Sequence, residues 1–434
     1  MASLGKHFEY NIDNLKSDSK NVFKGINYRI TILSDRLIRF EYSLDGKFYD
    51  GATELVHNRN FKTQPNFKVE QDNNYIVITT KYFIMQYAKE KPFKGPSFAP
   101  DSNLKVKLVN TDKMWYYGHP EARNFKGSAF SIEDFGNGTV LSNGLYSTDG
   151  FAFLDDSRSL LIDKEGYMNQ NSSKRIDFYL FMYRRDFGLC LKDYFTLTGE
   201  PPLLPRYALG IWWNRDQIYS FEDTKKLIKA FNKNEIPISV LLLGEFWHKK
   251  DAIDYNLYKT GYSFNKDLFP NPKEFIDTMH NNGVKVAVNL DGSEGINNLN
   301  DGYYEMCEDL DLENDKIIPF KVLNKEFIAS YFKNLINPLY KLGVDFFWID
   351  SKEEVVTRVL NYYHFNDYKK FQDKRGMILS RNGGKAAHLY PVHYSGETKV
   401  GWDTLKYIPY FNSTASNIGL SWWSHDVGGF KGGI

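Results

Sequence analysis

The second half of the chain alternates short apolar runs with segments of helical periodicity, and this rhythm restricts the fold more than any other feature. Such alternation is typical of β-α units that build a parallel sheet. Seven strands are predicted, over 208–213, 238–243, 284–290, 346–350, 377–380, 392–394 and 418–422. Seven units favour an eightfold TIM-type (β/α)8 barrel over a doubly wound sheet, which more often has about five or six strands. We expect the last strand of this barrel to be missing from the chain.

The first part of the chain has a different pattern. Up to about residue 185 it consists of short segments rich in β-branched and aromatic residues, such as YIVITTKYFIMQYA (75–88) and RIDFYLFMY (175–183), separated by turn signals. Segments of this kind are typical of antiparallel strands, and they predict an N-terminal β-sandwich. A Pro-rich stretch, GEPPLLPRYALG (199–210), marks the change of pattern. We therefore predict a β-sandwich domain over 1–190 and an incomplete α/β barrel domain over 191–434.

Residues that begin and end helices stand between the predicted strands. Ser220 precedes two acidic residues, which suits a helix N-cap and the positive end of the helix dipole. Asn271 and Pro272 form a second start signal, because proline is favoured at the first helical position. Gly283 and Gly343 stand where helices would end and a left-handed residue is needed. These signals predict helices that begin after Ser220 and Asn271 and end before Gly283 and Gly343.

Charge and cysteine content exclude several classes of function. The 55 Lys and Arg residues nearly balance the 54 Asp and Glu residues, so no uniform field attracts nucleic acid or anionic lipid. The N-terminus lacks the apolar core of a signal peptide, and no segment has about 18 consecutive apolar residues. Cys190 and Cys307 lie in unlike contexts that fit neither a disulfide framework nor a redox pair. We expect a cytoplasmic protein without nucleic-acid or membrane partners; a secreted mature form and a homo-oligomer are also compatible with the sequence.

Polar residues follow the predicted strands. In barrels of this kind the catalytic groups lie at the carboxyl ends of the strands, which meet at one rim. Carboxylates are the commonest type at these positions, and arginine and aromatic residues accompany them: 214–216, Glu245, Trp247, His248, Asn289, Asp291, Asp350, Arg381, Glu397, His425 and Asp426. We expect these side chains to surround one cup-shaped site.

Two of these carboxylates are the strongest candidates for chemistry. Asp350 ends the nearly continuous apolar segment GVDFFWID (343–350), and a buried carboxylate must be paired, hydrogen-bonded or functional. The alternative is that Asp350 caps the next helix. Glu397 follows Gly396 in a polar loop between aromatic residues, a setting in which a carboxyl group serves as a general acid at neutral pH. The alternative here is a solvated loop glutamate.

Other chemistries lack the residues they need. RNGGKAAH (381–388) has no upstream glycine at the spacing of a phosphate-binding loop. His388 and His393 lie in a Pro-containing loop without further residues to complete a zinc site, and no Gly-x-Ser-x-Gly turn is found. Paired carboxylates among aromatic residues remain, and these cleave or transfer glycosidic bonds. This chemistry needs no metal and no organic cofactor.

Four short motifs occur in order along the second half: WIDSKE (348–353), LSRNGG (379–384), YSGETKVGWDTL (394–405) and WWSHDVGGF (422–430). They resemble the W-[IL]-D-M-N-E strand end, the arginine strand, the W-[TS]-G-D-N-x-x-x-W-x-x-L motif and the [GA]-x-D-I-[CG]-G-F strand of glycoside hydrolase family 31, the α-glucosidase and α-xylosidase family. That family places sixteen positions between its arginine and its acid, the same interval as from Arg381 to Glu397. The likeness covers about 185–430, and the family has an N-terminal sandwich upstream.

The resemblance implies a role for each matching residue. Asp350 corresponds to the nucleophile, and Glu397 corresponds to the acid/base, where the family normally has the shorter Asp. The groups expected to bind sugar hydroxyls or to form an apolar wall are Arg381, Asp426, Glu245, Asp291, Trp348, Trp247, Trp423 and Tyr394. Tyr394 replaces the tryptophan of the family motif.

The function expected from this resemblance is that of a retaining, α-glucosidase-like α-glycosidase. It would hydrolyse terminal α-glycosidic bonds of an oligosaccharide or glycoside through a covalent glycosyl-aspartate, which requires carboxyl groups about 5 to 5.5 Å apart. One alternative is a noncatalytic carbohydrate-binding relative, motivated by Glu397 and by the missing last strand. Another is an α-transglycosylase, in which a sugar hydroxyl replaces water.

Overall fold

The computed structural model describes residues 4, 8–9, 12–95, 102–133, 135, 139–215, 217–250, 261–372 and 375–432, with the backbone alone over 368–372. Asp216, one of the predicted strand-end residues, lies outside the described residues. Within these ranges, antiparallel sheets precede a single parallel sheet. No helix in the same ranges has both the length and the apolar character needed to cross a bilayer.

The N-terminal region forms antiparallel sheets, as predicted. Its strands are β1 (Val22–Lys24), β2 (Tyr28–Ser34), β3 (Leu37–Tyr42), β4 (Ala52–Thr53), β5 (Phe67–Gln71), β6 (Tyr75–Thr80), β7 (Phe83–Ala88), β8 (Leu104–Leu108), β9 (Met114–Tyr116), β10 (Ala152–Asp155), β11 (Leu161–Ile162), β12 (Met168–Asn169) and β13 (Ile176–Phe181). Two five-stranded sheets have the orders β1-β2-β3-β13-β10 and β5-β6-β7-β8-β9, and a three-stranded sheet has the order β12-β11-β4.

The sequence pattern of β7 explains how these sheets bury one face. Phe83, Met85 and Tyr87 are buried, whereas Ile84 and Gln86 between them are exposed, as the two-residue period of a strand requires. Buried side chains from both five-stranded sheets belong to one hydrophobic cluster. The two sheets therefore share a core, while the sandwich domain with a boundary at residue 190 stays a prediction.

The second half of the chain forms a seven-stranded parallel sheet with helices between its strands. In chain order the elements are α1 (Phe187–Thr198), β14 (Ile211–Trp213), α2 (Phe221–Lys233), β15 (Ile238–Leu243), α3 (Pro272–Asn281), β16 (Lys285–Leu290), α4 (Tyr303–Asp309), α5 (Lys325–Tyr331), α6 (Asn337–Leu342), β17 (Phe346–Ile349), α7 (Glu354–Gln372), β18 (Leu379–Ser380), β19 (His393–Tyr394), α8 (Trp402–Ser416) and β20 (Trp423–Ser424). The strands pair in chain order from β14 to β20. Consecutive order is typical of a barrel, because a doubly wound sheet reverses its order at a switch point. The eighth strand outside this chain stays a prediction.

Helix boundaries follow the predicted signals. The Ser220 hydroxyl accepts a hydrogen bond from the Asp223 backbone N–H at 3.2 Å, and the Asp223 carboxylate accepts one from the Ser220 backbone N–H at 3.2 Å. Asn271 caps α3 through its side chain. Gly283 and Gly343 have φ values of 76° and 115°, in the left-handed region that glycine adopts without steric cost. Local sequence therefore sets where these helices start and stop.

Of the predicted strands, the first is shorter than expected and the last lies elsewhere. The segment predicted as 208–213 begins its strand only at Ile211, because Arg206–Leu209 form a 3-10 turn. The prediction over 418–422 is wrong: Ile418 and Leu420 donate backbone hydrogen bonds to Ala415 at the end of α8, and the strand is Trp423–Ser424. Ile418 and Leu420 are both buried. Their apolar character reports that burial, which a helix end provides as well as a strand does.

Candidate active site

Asp350 lies at the carboxyl end of β17, directly after four buried residues. Its backbone N–H donates to the carbonyl oxygen of Leu290, at the end of β16, at 2.9 Å. The carboxylate is therefore placed at the rim of the sheet, and 17% of its side chain is exposed. Asp350 does not cap the next helix, because α7 begins only at Glu354.

Three side chains from strands on both sides of β17 donate hydrogen bonds to the carboxylate of Asp350. Asn289 Nδ2, on β16, donates to Oδ2 at 3.0 Å. Arg381 Nη2, directly after β18, donates to Oδ1 at 3.2 Å. The hydroxyl of Tyr394, at the end of β19, also donates to Oδ1. The parallel order of the strands brings these residues together, although they are far apart in sequence.

Burial and pairing act on the pKa of Asp350 in opposite directions. Burial has the largest effect and raises the pKa, and the negative charge of Glu397 raises it further. The charge of Arg381 and the hydrogen bonds from Tyr394 and Asn289 lower it, and the net result lies above the ordinary value. Since the charge of Glu397 acts on Asp350, the two carboxylates belong to one electrostatic site.

Arg381 connects two carboxylates. Its side chain is 2% exposed, and a buried charge of this kind must be paired. Nη2 donates to Asp350, while Nη1 donates to Oε1 of Glu133. The guanidinium group also lies over the ring of Tyr394, 5.1 Å from its centroid. Because Glu133 precedes β10, the site is built from both halves of the chain.

Glu397 follows β19 in a tight turn. Gly396 has a φ of 86°, and a Cβ atom there would lie 2.7 Å from Glu133 Oε1 and 2.9 Å from Arg381 Nη1. Only glycine fits this close approach without strain. The backbone N–H of Glu397 donates to Glu133 Oε1 at 3.2 Å, and Glu397 Oε2 pairs with Lys431 Nζ at 2.5 Å.

Glu133 remains ionised despite its partial burial. Burial by itself raises the pKa of this carboxyl group. The hydrogen bond and charge of Arg381, the backbone N–H of Glu397 and the charge of Lys431 outweigh that effect and lower the pKa below its ordinary value. Glu133 therefore acts as a fixed negative charge that orients Arg381 and the turn of Glu397.

A cavity of about 250 Å³ opens beside Glu397. Aromatic and acidic side chains line it, among them Trp213, Trp348, Tyr394, Glu397 and Asp426. The side chain of Asp426 is exposed, but the protein around it removes part of its hydration. This loss of hydration has the largest effect, and together with the charges of Glu397 and Asp350 it raises the pKa of Asp426 to about 6. Flat apolar rings and hydrogen-bonding carboxyl groups in one cavity suit a sugar ring, which has apolar faces and hydroxyls at its edges.

Larger cavities lie elsewhere in the described part of the chain. One of about 460 Å³ lies between 128–130 and 382–386, and one of about 700 Å³ lies around 309–327. The volume of a cavity does not identify the chemistry it supports. The smaller cavity is the candidate active site because Glu397, Asp426 and Tyr394, the partner of Asp350, line it.

Two tryptophans predicted to form the wall of the site lie away from the cavity. Trp247 is 2% exposed, and its indole N–H donates to the carbonyl oxygen of Asn289 at 2.9 Å. Trp423 packs on Phe411, with ring centroids 4.9 Å apart. Trp247 is buried and Trp423 is partly buried, and neither lines this cavity, contrary to the expected wall. The tryptophans that line the cavity are Trp212, Trp213 and Trp348.

Two predicted acidic residues are also absent from the lining of the cavity. Asp291 accepts hydrogen bonds from the backbone N–H and the hydroxyl of Ser293, at 2.9 and 3.0 Å, and so stabilises a local turn. Glu245 begins a 3-10 turn, Glu245–Trp247, and is half-buried. The structure thus brings Glu397, Asp426, Tyr394 and Trp348 together around the cavity. Asp350 and Arg381 do not line it themselves, but both contact Tyr394, which does. Asp291 and Glu245 do not line it.

Two charged residues of the site were not predicted from the sequence. Glu133 lies in a loop of the N-terminal region, 248 positions from Arg381, and no local pattern marks it. Lys431 follows the last motif, WWSHDVGGF (422–430), and a lysine at such a position is expected to be an ordinary surface residue. Within the described ranges, no three or more His, Cys, Asp or Glu side chains are placed to hold a metal ion.

Comparison with known proteins identifies relatives of this chain. Residues 201–433 match the model of the glycosyl hydrolases family 31 TIM-barrel domain. An alpha-xylosidase of Saccharolobus solfataricus is 26% identical over 378 residues, which are 76% of this chain and 49% of that protein. An isomaltosyltransferase of Sporosarcina globispora is 21% identical over 445 residues, which are 88% of this chain and 39% of that protein. The chain thus spans about half or less of the length of these curated relatives.

A solved structure shares the fold. The family 31 dextranase of Flavobacterium johnsoniae, complexed with glucose, superposes with a TM-score of 0.67 over 94% of this chain and 59% of that chain. The sequence identity is 15%, so this likeness supports the fold alone.

Proposed function

This chain belongs to glycoside hydrolase family 31, and on that premise we propose that it is a retaining α-glycosidase that hydrolyses terminal α-glycosidic bonds. Asp350 is the nucleophile and Glu397 is the acid/base. Alpha-glucosides and α-xylosides are the substrates to test first, since an alpha-xylosidase is among the relatives with the most extensive match.

The reaction takes two steps. In the first, Asp350 attacks the anomeric carbon while Glu397 donates its proton to the departing oxygen, which leaves a covalent glycosyl-aspartate. In the second, Glu397 takes a proton from water, and that water releases the sugar from Asp350 with the original anomeric configuration. The two carboxyl groups supply both the nucleophile and the proton transfers.

The observation that carries this proposal is the way Asp350 is held. Donors from Asn289, Arg381 and Tyr394 occupy both of its oxygens and orient it at the rim of the sheet. A nucleophile needs such fixed orientation, because the reacting atoms must approach to about 3 to 3.5 Å in line. Its partner Tyr394 lines the cavity together with a second acid, Glu397, which joins the held carboxylate to that cavity.

The remaining groups of the cavity support sugar binding and the transition state. Trp213 and Trp348 offer apolar surface, and Asp426, with its pKa raised to about 6, accepts or donates hydrogen bonds to hydroxyls. The negative charges of the cavity also favour the positive charge that develops on the sugar ring in an oxocarbenium-like transition state. Glu397 reaches one methylene further than the aspartate that the family motif normally carries.

Sugar transfer is the second candidate function. The isomaltosyltransferase matches 88% of this chain, which is more than the alpha-xylosidase matches. Transfer uses the same first step, and a sugar hydroxyl then replaces water. Hydrolysis and transfer differ only in whether water or a sugar hydroxyl accepts the sugar from Asp350, so analysis of the products distinguishes them.

Covalent labelling tests the proposal directly. A panel of aryl α-glucosides and α-xylosides is assayed, and the protein is incubated with the corresponding fluorinated mechanism-based glycosides. We expect turnover with retained anomeric configuration by NMR, and a sugar adduct on the peptide that contains Asp350 by mass spectrometry. Asp350→Asn should lose both the turnover and the adduct. Glu353→Gln, which removes an exposed carboxylate from the same segment, is the matched control and should keep both.

Each other outcome has a defined meaning. Absence of turnover and of label, together with sugar binding that Asp350→Asn leaves unchanged, would show a noncatalytic carbohydrate-binding relative. Longer oligosaccharides in place of free sugar would show a transferase. A label on another carboxylate would refute the assignment of Asp350.

A further inference from the structure

Lys431 stands between two carboxylates of the candidate site. Its Nζ lies 2.5 Å from Glu397 Oε2 and 3.8 Å from Glu133 Oε2. The hydrogen bond to Glu397 and the charges of both acids raise the pKa of Lys431, so the side chain stays positively charged. Its side chain is 49% exposed, so packing does not confine the ammonium group to one partner.

The backbone of Lys431 is tied to the loop that carries Glu397. Phe430 N–H and Lys431 N–H both donate to the carbonyl oxygen of Thr398, at 2.7 and 3.0 Å, and Val400 N–H donates to the carbonyl oxygen of Lys431 at 2.8 Å. These bonds fix the base of the side chain beside the acid. Only the flexible four-carbon stem remains free to reach either carboxylate.

Glu133 offers an anchored alternative partner. Its Oε1 accepts hydrogen bonds from Arg381 Nη1 and from the Glu397 backbone N–H, whereas Oε2 faces Lys431. The carboxylate therefore cannot follow the lysine when the lysine moves. Lys431 Nζ already lies near both carboxylates, 2.5 Å from Glu397 and 3.8 Å from Glu133, so a shift of the ammonium group changes which of the two contacts is shorter.

The first step of the proposed reaction requires a protonated Glu397, and the observed pair opposes this. Lysine has three donors and no acceptor, so an ammonium group in contact with a carboxyl group favours the ionised form. The charge of Glu397 acts on both Asp350 and Asp426, while Arg381 is already paired with Glu133 and Asp350. Lys431 is therefore the cation whose position alters the charge in direct contact with Glu397.

We propose that Lys431 is a positioning residue that tunes the acid/base: its contact with Glu397 favours the ionised carboxylate, and on entry of a sugar the ammonium group shifts towards Glu133. Glu397 then takes up a proton from solvent and passes it to the departing oxygen. In the second step the carboxylate left behind takes a proton from the attacking water. After product leaves, Glu397 returns that proton to solvent and Lys431 pairs with the carboxylate again, so no proton is consumed over the cycle. This inference rests on the proposed function, because it concerns the proton that Glu397 passes to the departing oxygen.

The pH dependence of kcat/KM tests this role. Lys431→Met should move the alkaline limb, which reports loss of the protonated acid, to higher pH by about half a unit. The acid limb should stay in place. Lys431→Arg should keep the alkaline limb near that of the wild type, because it retains the charge. Lys399→Met removes an exposed lysine from the same loop and is the matched control; its profile should equal that of the wild type.

A direct titration separates failure of this inference from failure of the proposed function. The protein is labelled with glutamate carrying ¹³C at the carboxyl carbon, and the signal of Glu397 is assigned by its loss in Glu397→Gln. Its midpoint should move to higher pH in Lys431→Met and remain unchanged in Lys399→Met. This measurement needs no turnover. Thermal unfolding of each variant confirms that the fold is intact.

The outcomes are then distinct. An active wild type that Asp350→Asn inactivates, with an unchanged profile and titration in Lys431→Met, would overturn the role of Lys431 and leave the proposed function standing. An inactive wild type would overturn the function. In that case a shifted titration would still support the control of Glu397 by Lys431, and an unshifted one would overturn it.

Discussion

Replacing Tyr394 with phenylalanine isolates one of the contacts that hold Asp350. Tyr394→Phe removes the hydroxyl that donates to Asp350 Oδ1 and keeps the ring. That ring packs edge-on against Trp348, with centroids 5.7 Å apart, and lies beneath Arg381. The variant therefore loses a hydrogen bond without opening a cavity. Asn289 and Arg381 remain as donors to the carboxylate.

The magnitude follows from the charge of the acceptor. In the wild type this hydrogen bond lowers the pKa of Asp350, against the larger effect of burial. A hydrogen bond to a charged group contributes about 1.5 to 3 kcal/mol, and one pKa unit corresponds to about 1.4 kcal/mol. The pKa of Asp350 should therefore rise by roughly 1 to 2 units in the variant. Because the nucleophile must be ionised, the acid limb of kcat/KM should move to higher pH by the same amount.

The assay is the pH profile of kcat/KM on an aryl α-glycoside that the wild type cleaves. Tyr362→Phe is the matched control, since it also removes a buried hydroxyl, which donates to the carbonyl oxygen of Gly166 at 2.9 Å. That control should lose about 1 kcal/mol of stability and keep its acid limb. An acid limb that stays in place in a folded Tyr394→Phe variant would refute the reasoning, and so would a shift to lower pH.

Two further predictions concern stability. Burial raises the pKa of Glu121 to about 7, so the folded state binds this proton more tightly than the unfolded chain and stability falls as the pH rises from about 4.5 to about 7. Glu121→Gln should abolish up to ~3 kcal/mol of this pH-dependent loss in the free energy of unfolding, so the melting temperature should depend less on pH. An unchanged pH dependence of the melting temperature would contradict a raised pKa at Glu121. Phe178 packs against Phe153 and Phe40, with centroids 4.9 and 5.1 Å apart, and Phe178→Ala should cost about 3 to 5 kcal/mol in urea unfolding. Ile26→Ala, at a 76% exposed position, should cost less than about 0.5 kcal/mol, and similar losses in both variants would argue against a core at Phe178.

Local signals explain which parts of the fold could be predicted. Ser220, Asn271, Gly283 and Gly343 act through contacts within one helix turn, so their residue types alone mark the helix ends. The segment 238–243 was predicted with its observed bounds, because a continuous apolar run flanked by helices has few other interpretations. The segment 418–422 failed because apolar residues mark burial and do not distinguish a strand from the end of a helix.

The site divides along the same line. Asp350, Arg381 and Tyr394 follow strands of one parallel sheet, and parallel strands place their carboxyl ends together whatever the rest of the chain does. Trp247 and Trp423 were predicted at the same rim. Whether an indole faces the cavity depends on which residues pack against it, here Asn289 and Phe411, and local sequence does not show this. Glu133 and Lys431 act through contacts between distant segments, which no local pattern encodes.

The contact between Glu133 and Arg381 makes the N-terminal region part of the chemistry. Arg381 has almost no access to water, so without Glu133 its guanidinium would keep, among the residues that the structure describes, only the ion pair with Asp350. Breaking one partner from a buried ion pair costs about 3 to 5 kcal/mol, and the arginine would then draw more strongly on the nucleophile. The backbone N–H of Glu397 would lose its acceptor in the same event. One carboxylate from the N-terminal region therefore holds Arg381 and the turn of Glu397, and through Arg381 it acts on Asp350, so the parallel sheet by itself supplies only some of the charges of the candidate site.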